Sequence, residues 1–237
     1  MELLLLSNST NPGEQYLDYP KHVIREFLGE IPVRAVFIPY AAVTFSYNEY
    51  EDRVNERFRE IGHSVTGVHR YADPKSAIAD ADAIIIGGGN TWKLVRMLHE
   101  NGLMPLIREK VLAGTPYIGW SAGSNVACPT LRTTNDMPII DPLGFDTLGL
   151  VPFQINPHYL DEHPANHGGE TREMRIQEFI AENRTDYVVG LRESTMLRFE
   201  DNRLELLGSR TARIFRYGED ARELKPSDDL DFLMRKG

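Results

Sequence analysis

The segment Tyr117-Ile118-Gly119-Trp120-Ser121-Ala122-Gly123-Ser124-Asn125 sets a serine between two glycines, after a short apolar run and before a set of small residues. This is G-x-S-x-G in a strand, turn and helix-start setting. A nucleophilic serine must project its hydroxyl from a tight turn. The residues two before and two after it pass close together, where side chains would clash. The helix that follows points free N–H groups at the site, where they can stabilise an oxyanion. The string alone also suits a glycine-rich strand-to-helix turn with a capping serine.

A serine nucleophile needs a base in hydrogen-bond reach, and the base needs an acid to orient it. Of seven histidines, His22, His63, His69 and His99 fall in or beside helices and strand edges, and read as surface or core residues. His163 and His167 lie in a looser Asp/His/Gly stretch. His158 differs: it follows the strand-like run Phe153-Gln154-Ile155-Asn156-Pro157. For the acid, Glu193 ends the apolar run Val188-Val189-Gly190-Leu191-Arg192, and Asp136 in Thr133-Thr134-Asn135-Asp136 competes. Turn or capping chemistry would equally suit either carboxylate. The order Ser121, His158, Glu193 is not the serine, acid, histidine order of α/β-hydrolases.

Gly87-Gly88-Gly89 lets the backbone approach a ligand closely, so Gly88 and Ala122 are candidates for oxyanion N–H donors. No Lys-Ser/Thr follows these glycines, which excludes a P-loop, and G-x-G-x-x-G is not met. Neither H-E-x-x-H nor paired cysteines occur. The cluster His158, Asp161, Glu162 and His163 lacks metal-ligand spacing, so no metal and no cofactor is expected.

These residues need a frame. Apolar runs at Leu3–Leu6, Val33–Ile38, Ser64–Val68, Ala83–Ile86, Tyr117–Trp120 and Tyr187–Leu191 predict strands. Helices are expected at Tyr16–Leu28, Tyr47–Ile61, Pro74–Ala81, Thr91–Asn101, Pro105–Ala113 and Glu170–Glu182. The alternation implies an α/β fold: a mostly parallel, doubly wound sheet covered on both faces. Its ligand site is expected beyond the carboxyl ends of the strands, where Ser7-Asn8-Ser9, Pro39-Tyr40-Ala41, Gly87–Asn90 and Gly119–Asn125 all fall. The non-periodic stretch Arg132–Tyr159 would cross the same rim. Thr195–Glu200, Asp201-Asn202 and Arg203–Leu207 predict a C-terminal antiparallel hairpin, with Ala212–Tyr217 as a third strand. The tail Glu219–Gly237 reads as less ordered, with Leu230, Phe232 and Leu233 available to dock.

The chain has 237 residues, which suits a single domain over 1–237. A net charge of −9 with no basic cluster gives nucleic acid no electrostatic footprint. One cysteine, Cys128, allows no intrachain disulfide and fits a reducing compartment. Nothing approaches membrane-spanning length, and the N-terminal apolar run is too short for a signal peptide. A cytoplasmic location is therefore expected.

Several stretches carry a resemblance: Met1–Thr10, Ala83–Thr91, Tyr117–Pro129, Thr130–Pro142, Gln154–His158 and Gly168–Arg175. Through them the chain resembles serine peptidase family S51. The resemblance implies a fold similar to class I glutamine amidotransferases, with serine in place of their cysteine. It implies a triad of Ser121 as nucleophile, His158 as general base and Glu193 as its orienting acid, with Gly88 and Ala122 supplying oxyanion N–H groups. It further implies hydrolysis of dipeptides with N-terminal aspartate.

An aspartate side chain in a pocket needs a cation, preferably a bidentate one. Arg172 matches the family's arginine in that role, although a helix arginine paired with a neighbouring glutamate would look the same in sequence. The substrate ammonium needs an acceptor, for which Asp136 and Glu170 both stand open. The expected partner is thus a small-molecule dipeptide, with a homodimer as the expected assembly. Two other readings use the same residues: a cyanophycinase-like β-aspartyl hydrolase, and a non-catalytic binding protein on the same scaffold.

Overall fold

The computed structural model describes residues 1–161 and 168–235. Its main sheet is laid down by β1 (Leu3–Leu6), β2 (Arg34–Ile38), β3 (Ser64–Gly67), β4 (Ala83–Ile86) and β5 (Tyr117–Trp120). Each of β1, β4 and β5 is four buried residues, as strands covered on both faces must be. Side chains alternate between faces along a strand. Leu3 and Leu5 therefore join one buried cluster with Ile84 and Ile86, while Leu4 and Leu6 join another with Ile85 and Ile118.

Helices α1 (Lys21–Leu28), α2 (Tyr47–Glu60), α3 (Pro74–Ala79), α4 (Thr91–Glu100) and α5 (Met104–Leu112) connect these strands. The local signals for α2 are explicit. Ser46 caps it, and Glu49 returns its carboxylate to the Ser46 N–H at 2.7 Å. Tyr50, Val54 and Phe58 then bury one face. The helix expected from Tyr16 begins only at Lys21, because Leu17 takes φ 54°, outside the helical region.

After β5 come the short α6 (Ala122–Asn125), β6 (Gln154–Pro157), α7 (Arg172–Glu182) and five further strands. These are β7 (Tyr187–Leu191), β8 (Thr195–Glu200), β9 (Arg203–Gly208), β10 (Ala212–Arg216) and β11 (Arg222–Leu224). The main sheet has the order β3-β2-β4-β5-β1-β8-β9, parallel through β1 and antiparallel from β8 onward. Asp201 and Asn202, at φ 50° and 62°, make the hairpin turn between β8 and β9. Two positive φ values in a two-residue loop match the twist of the strands it joins.

Three expectations change here. Tyr187–Leu191 is not in the main sheet: β7 belongs to a second, four-stranded sheet of order β11-β10-β7-β6. Ala212–Tyr217 does not extend the hairpin either, since β10 pairs with β7. The C-terminal segment expected to be less ordered supplies β11, and it buries Leu230 and Leu233 completely or nearly so. No helix among the described residues is long and apolar enough to cross a membrane.

Candidate active site

Ser121 stands at the carboxyl end of β5, at φ 53° and ψ −110°. That is a strained position for a residue with a side chain. Close contacts hold it there. The Ser121 N–H donates to the Leu6 carbonyl at 3.1 Å, and the Ser124 hydroxyl donates to the same carbonyl at 2.6 Å. The flanking glycines are obligatory: a methyl group on Gly119 would strike the Gly123 carbonyl, and one on Gly123 would strike that of Ile86. The turn can thus form only with β5 and β4 packed on it.

His158 follows β6 and also takes a positive φ, 52°. Its Nε2 lies 3.0 Å from Ser121 Oγ, and its Nδ1 lies 2.8 Å from Glu193 Oε1. A carboxylate accepts only, so Nδ1–H is the donor. Nε2 is then left to accept the Ser121 hydroxyl proton. Glu193 follows β7, the strand paired in parallel with β6. The triad candidates therefore arrive from two sheets, Ser121 from one, His158 and Glu193 from the other.

Gly88 lies against this turn. A methyl group on it would come within 3.1 Å of Ser121 Cβ and of the Trp120 carbonyl. Its own carbonyl accepts from Tyr50 Oη at 2.9 Å. The N–H groups of Gly88 and Ala122 have no hydrogen-bond partner among the described residues, which suits groups meant for a ligand oxygen.

Asp136 is not beside His158 Nδ1. Its Oδ2 accepts from the Thr91 N–H at 2.7 Å, the Thr91 hydroxyl at 2.6 Å and the Thr134 hydroxyl at 3.1 Å. This places the carboxylate at the positive end of α4. Asp136 and Arg172 line one cavity of about 230 Å³ together with Ser121 and His158. Arg172 opens α7, and its guanidinium makes no ion pair among the described residues. Burial pushes its pKa down, Arg175 pushes further, and only Asp136 opposes them. A cation so placed gains from any arriving carboxylate. Glu170 lies outside this lining and sits exposed, 3.5 Å from Arg175.

A second cavity, of about 290 Å³, shares Ser121 and His158 and extends the other way to Gly88, Trp120, Tyr50, Tyr16, Phe45 and Arg53. The nucleophile candidate therefore stands where two pockets meet.

The remaining histidines keep structural positions. His63 bonds to the Gly29 carbonyl at 3.0 Å, His69 to Asn48 at 2.8 Å and His99 to the Asp146 carbonyl at 3.2 Å, while His22 is exposed. Glu162, His163 and His167 lie outside the described residues.

Sequence reasoning missed two supports. The buried Ser7 hydroxyl donates to the Leu191 carbonyl at 2.7 Å and accepts the His158 N–H at 2.9 Å. Asn8 Oδ1 accepts the Ser194 N–H at 3.0 Å, holding the turn after Glu193. Their position just past β1 was the available signal. Nothing in the sequence shows a hydroxyl bonding to a backbone 184 residues away.

The model of peptidase family S51 matches residues 3–207. Peptidase E of Nostoc sp. strain PCC 7120 is 51% identical over 234 residues, 99% of this chain and 97% of that one. Peptidase E of Salmonella typhimurium strain LT2 is 48% identical over 221 residues, covering 93% of this chain and 96% of its own. A peptidase from an acI-B1 actinobacterium superposes with TM-score 0.72 at 16% identity, over 97% of this chain and 96% of that one, and so shares the fold. The α/β fold with a serine at the strand-to-helix turn is that of a hydrolase, and the chain belongs to peptidase family S51.

Proposed function

We propose that this protein is a serine dipeptidase that hydrolyses Asp-Xaa dipeptides. The observation that carries the reading is one cavity that Ser121 shares with Arg172, which makes no ion pair among the described residues, and with the carboxylate of Asp136. An N-terminal aspartate offers the matching pair, a side-chain carboxylate and a free ammonium group. Arg172 takes the first, and Asp136 takes the second.

Ser121 Oγ attacks the aspartyl carbonyl as its proton passes to His158 Nε2, and Glu193 holds the imidazolium that forms. The N–H groups of Gly88 and Ala122 meet the oxyanion. His158 returns the proton to the leaving amine, and the aspartyl ester remains on Ser121. A water then gives a proton to His158 as it attacks the ester, and His158 passes that proton to Ser121 Oγ as the acyl C–O bond breaks and aspartate leaves. We read the whole chain as one catalytic unit acting in the cytoplasm. Its one cysteine, Cys128, is free and buried, and burial pushes the thiol up to about 12, so it plays no nucleophilic part at neutral pH.

The test is hydrolysis of Asp-Leu beside Glu-Leu, Asn-Leu and β-Asp-Leu. Asp-Leu should be strongly preferred, Ser121→Ala should lose at least about 10⁴-fold in kcat, and Arg172→Ala should lose roughly 10- to 100-fold in kcat/KM on Asp-Leu. Preference for β-Asp-Leu would replace the reading with the β-aspartyl one. Turnover by Ser121→Ala would end it.

A further inference from the structure

In the mechanism proposed, the second cavity at Ser121, whose lining does not include Arg172, takes the leaving residue of the substrate, and it contains a charge that the proposed triad does not use. Arg53 projects from α2 into the lining of that cavity. Its guanidinium carbon lies 5.7 Å from the Tyr16 ring centre and 5.3 Å from that of Phe45. It makes no ion pair or hydrogen bond among the described residues. The acid one helical turn before it, Glu49, gives Oε2 to the N–H and hydroxyl of Ser46 at 2.7 and 2.8 Å and acts on Arg53 only at longer range, without an ion pair. In a protein of net charge −9, an arginine beside the candidate nucleophile that makes no ion pair among the described residues is a specific arrangement.

The aromatic platform under Arg53 is tied to the catalytic backbone. Tyr16 Oη donates to Tyr50 Oη at 3.1 Å, Trp120 Nε1 donates to the same oxygen at 3.1 Å, and Tyr50 Oη donates to the Gly88 carbonyl. Tyr16 also meets Trp120 edge-on, with ring centres 6.3 Å apart. Stacking on a ring face leaves the N–H edge of a guanidinium unspent and limits the freedom it must lose on binding. The walls are aromatic, the volume is at the small end of ligand pockets, and one cation stands in the lining. That chemistry fits one amino-acid residue ending in a carboxylate.

We infer that Arg53 binds the C-terminal carboxylate of the dipeptide and so sets the length of the substrate. This rests on the assignment of the Arg172 cavity to the aspartyl side. A third residue would turn that carboxylate into a neutral amide and leave the arginine without its anion.

The experiment uses a two-by-two set, Asp-Leu and Asn-Leu, each as free acid and as C-terminal amide, on wild type, Arg53→Ala and Arg53→Lys. Wild type should favour the acid over the amide by roughly 10- to 100-fold in kcat/KM, the range of one charge-assisted contact. The ratio should fall close to one in Arg53→Ala, mainly through a higher KM for the acid, and recover in part in Arg53→Lys. An acid-to-amide ratio that Arg53→Ala leaves unchanged overturns the inference, whichever N-terminal residue is cleaved. Equal rates on Asp-Leu and Asn-Leu overturn the aspartyl pocket instead, and the acid-to-amide ratio still reads Arg53. A wild type that cleaves none of the four overturns both.

Discussion

Ser7 lines neither cavity at Ser121, yet it holds the backbone of His158, the candidate base. Its hydroxyl joins the His158 N–H to the Leu191 carbonyl, and every atom of it is buried. Replacing it with alanine leaves the His158 N–H without its acceptor at the backbone that positions the imidazole, while the Leu191 carbonyl keeps the Tyr159 N–H at 3.1 Å. An unsatisfied buried group costs about 1–3 kcal/mol. We expect Ser7→Ala to melt several degrees lower. At a temperature where it is fully folded, kcat should fall about tenfold or more while KM changes little. Steady-state kinetics alongside a thermal melt checks this, and an unchanged kcat would show that His158 holds its place without the hydroxyl. Arg172 and Arg53 act at the same scale by a different means: each lines one of the two cavities that share Ser121, and neither makes an ion pair among the described residues.

At the scale of elements, the nucleophile turn depends on β4 as much as on its own strand. Gly123 packs so closely on the Ile86 carbonyl that one methyl group cannot fit. Gly123→Ala should therefore move α6 and Ser121 together. Displacements on the order of 1 Å can cost about 10²-fold, so activity should fall at least that far with the far-UV circular dichroism spectrum retained. A variant with full activity would show that the turn has slack. The turn was legible because its constraints are local: a buried four-residue strand that includes Gly119, then Ser121 and Gly123. The strands β1, β4 and β5 were legible for the same reason. Sheet membership was not. The runs Tyr187–Leu191 and Ala212–Tyr217 read correctly as strands, but they pair with each other and with β6 and β11. Partner choice rests on contacts distant in sequence, which periodicity does not carry. The start of α1 was overrun because Leu17 leaves helical geometry with no proline or glycine at that position. In the site, Ser121, His158 and Glu193 each ended a recognisable segment. Arg53 was just one charged residue on an amphipathic helix, and only the fold brings Tyr16 and Phe45 to it.

Across the whole molecule, Arg192 links the second sheet to the loop beyond His158. Its buried guanidinium bonds to both carboxylate oxygens of Asp161 and both of Glu223. Hydrogen bonding to Arg192 holds both acids below their ordinary values. Depressed carboxylates contribute stability above their unfolded pKa, about 4 to 4.5, and lose it as pH falls through the lower folded values. Arg192→Met should thus melt below wild type by a margin that is widest near pH 7 and shrinks below about pH 4. A margin constant across that range would mean the lost interaction is packing rather than charge. Next to this cluster, the division of the triad candidates between two sheets has a consequence for synthesis. As the chain leaves the ribosome, the serine emerges with its own turn and strands, long before its base and the acid that orients it. In the mechanism proposed, hydrolysis cannot begin until Glu193 has emerged and β6 and β7 have paired. On that reading the growing chain stays inert until its second sheet has closed.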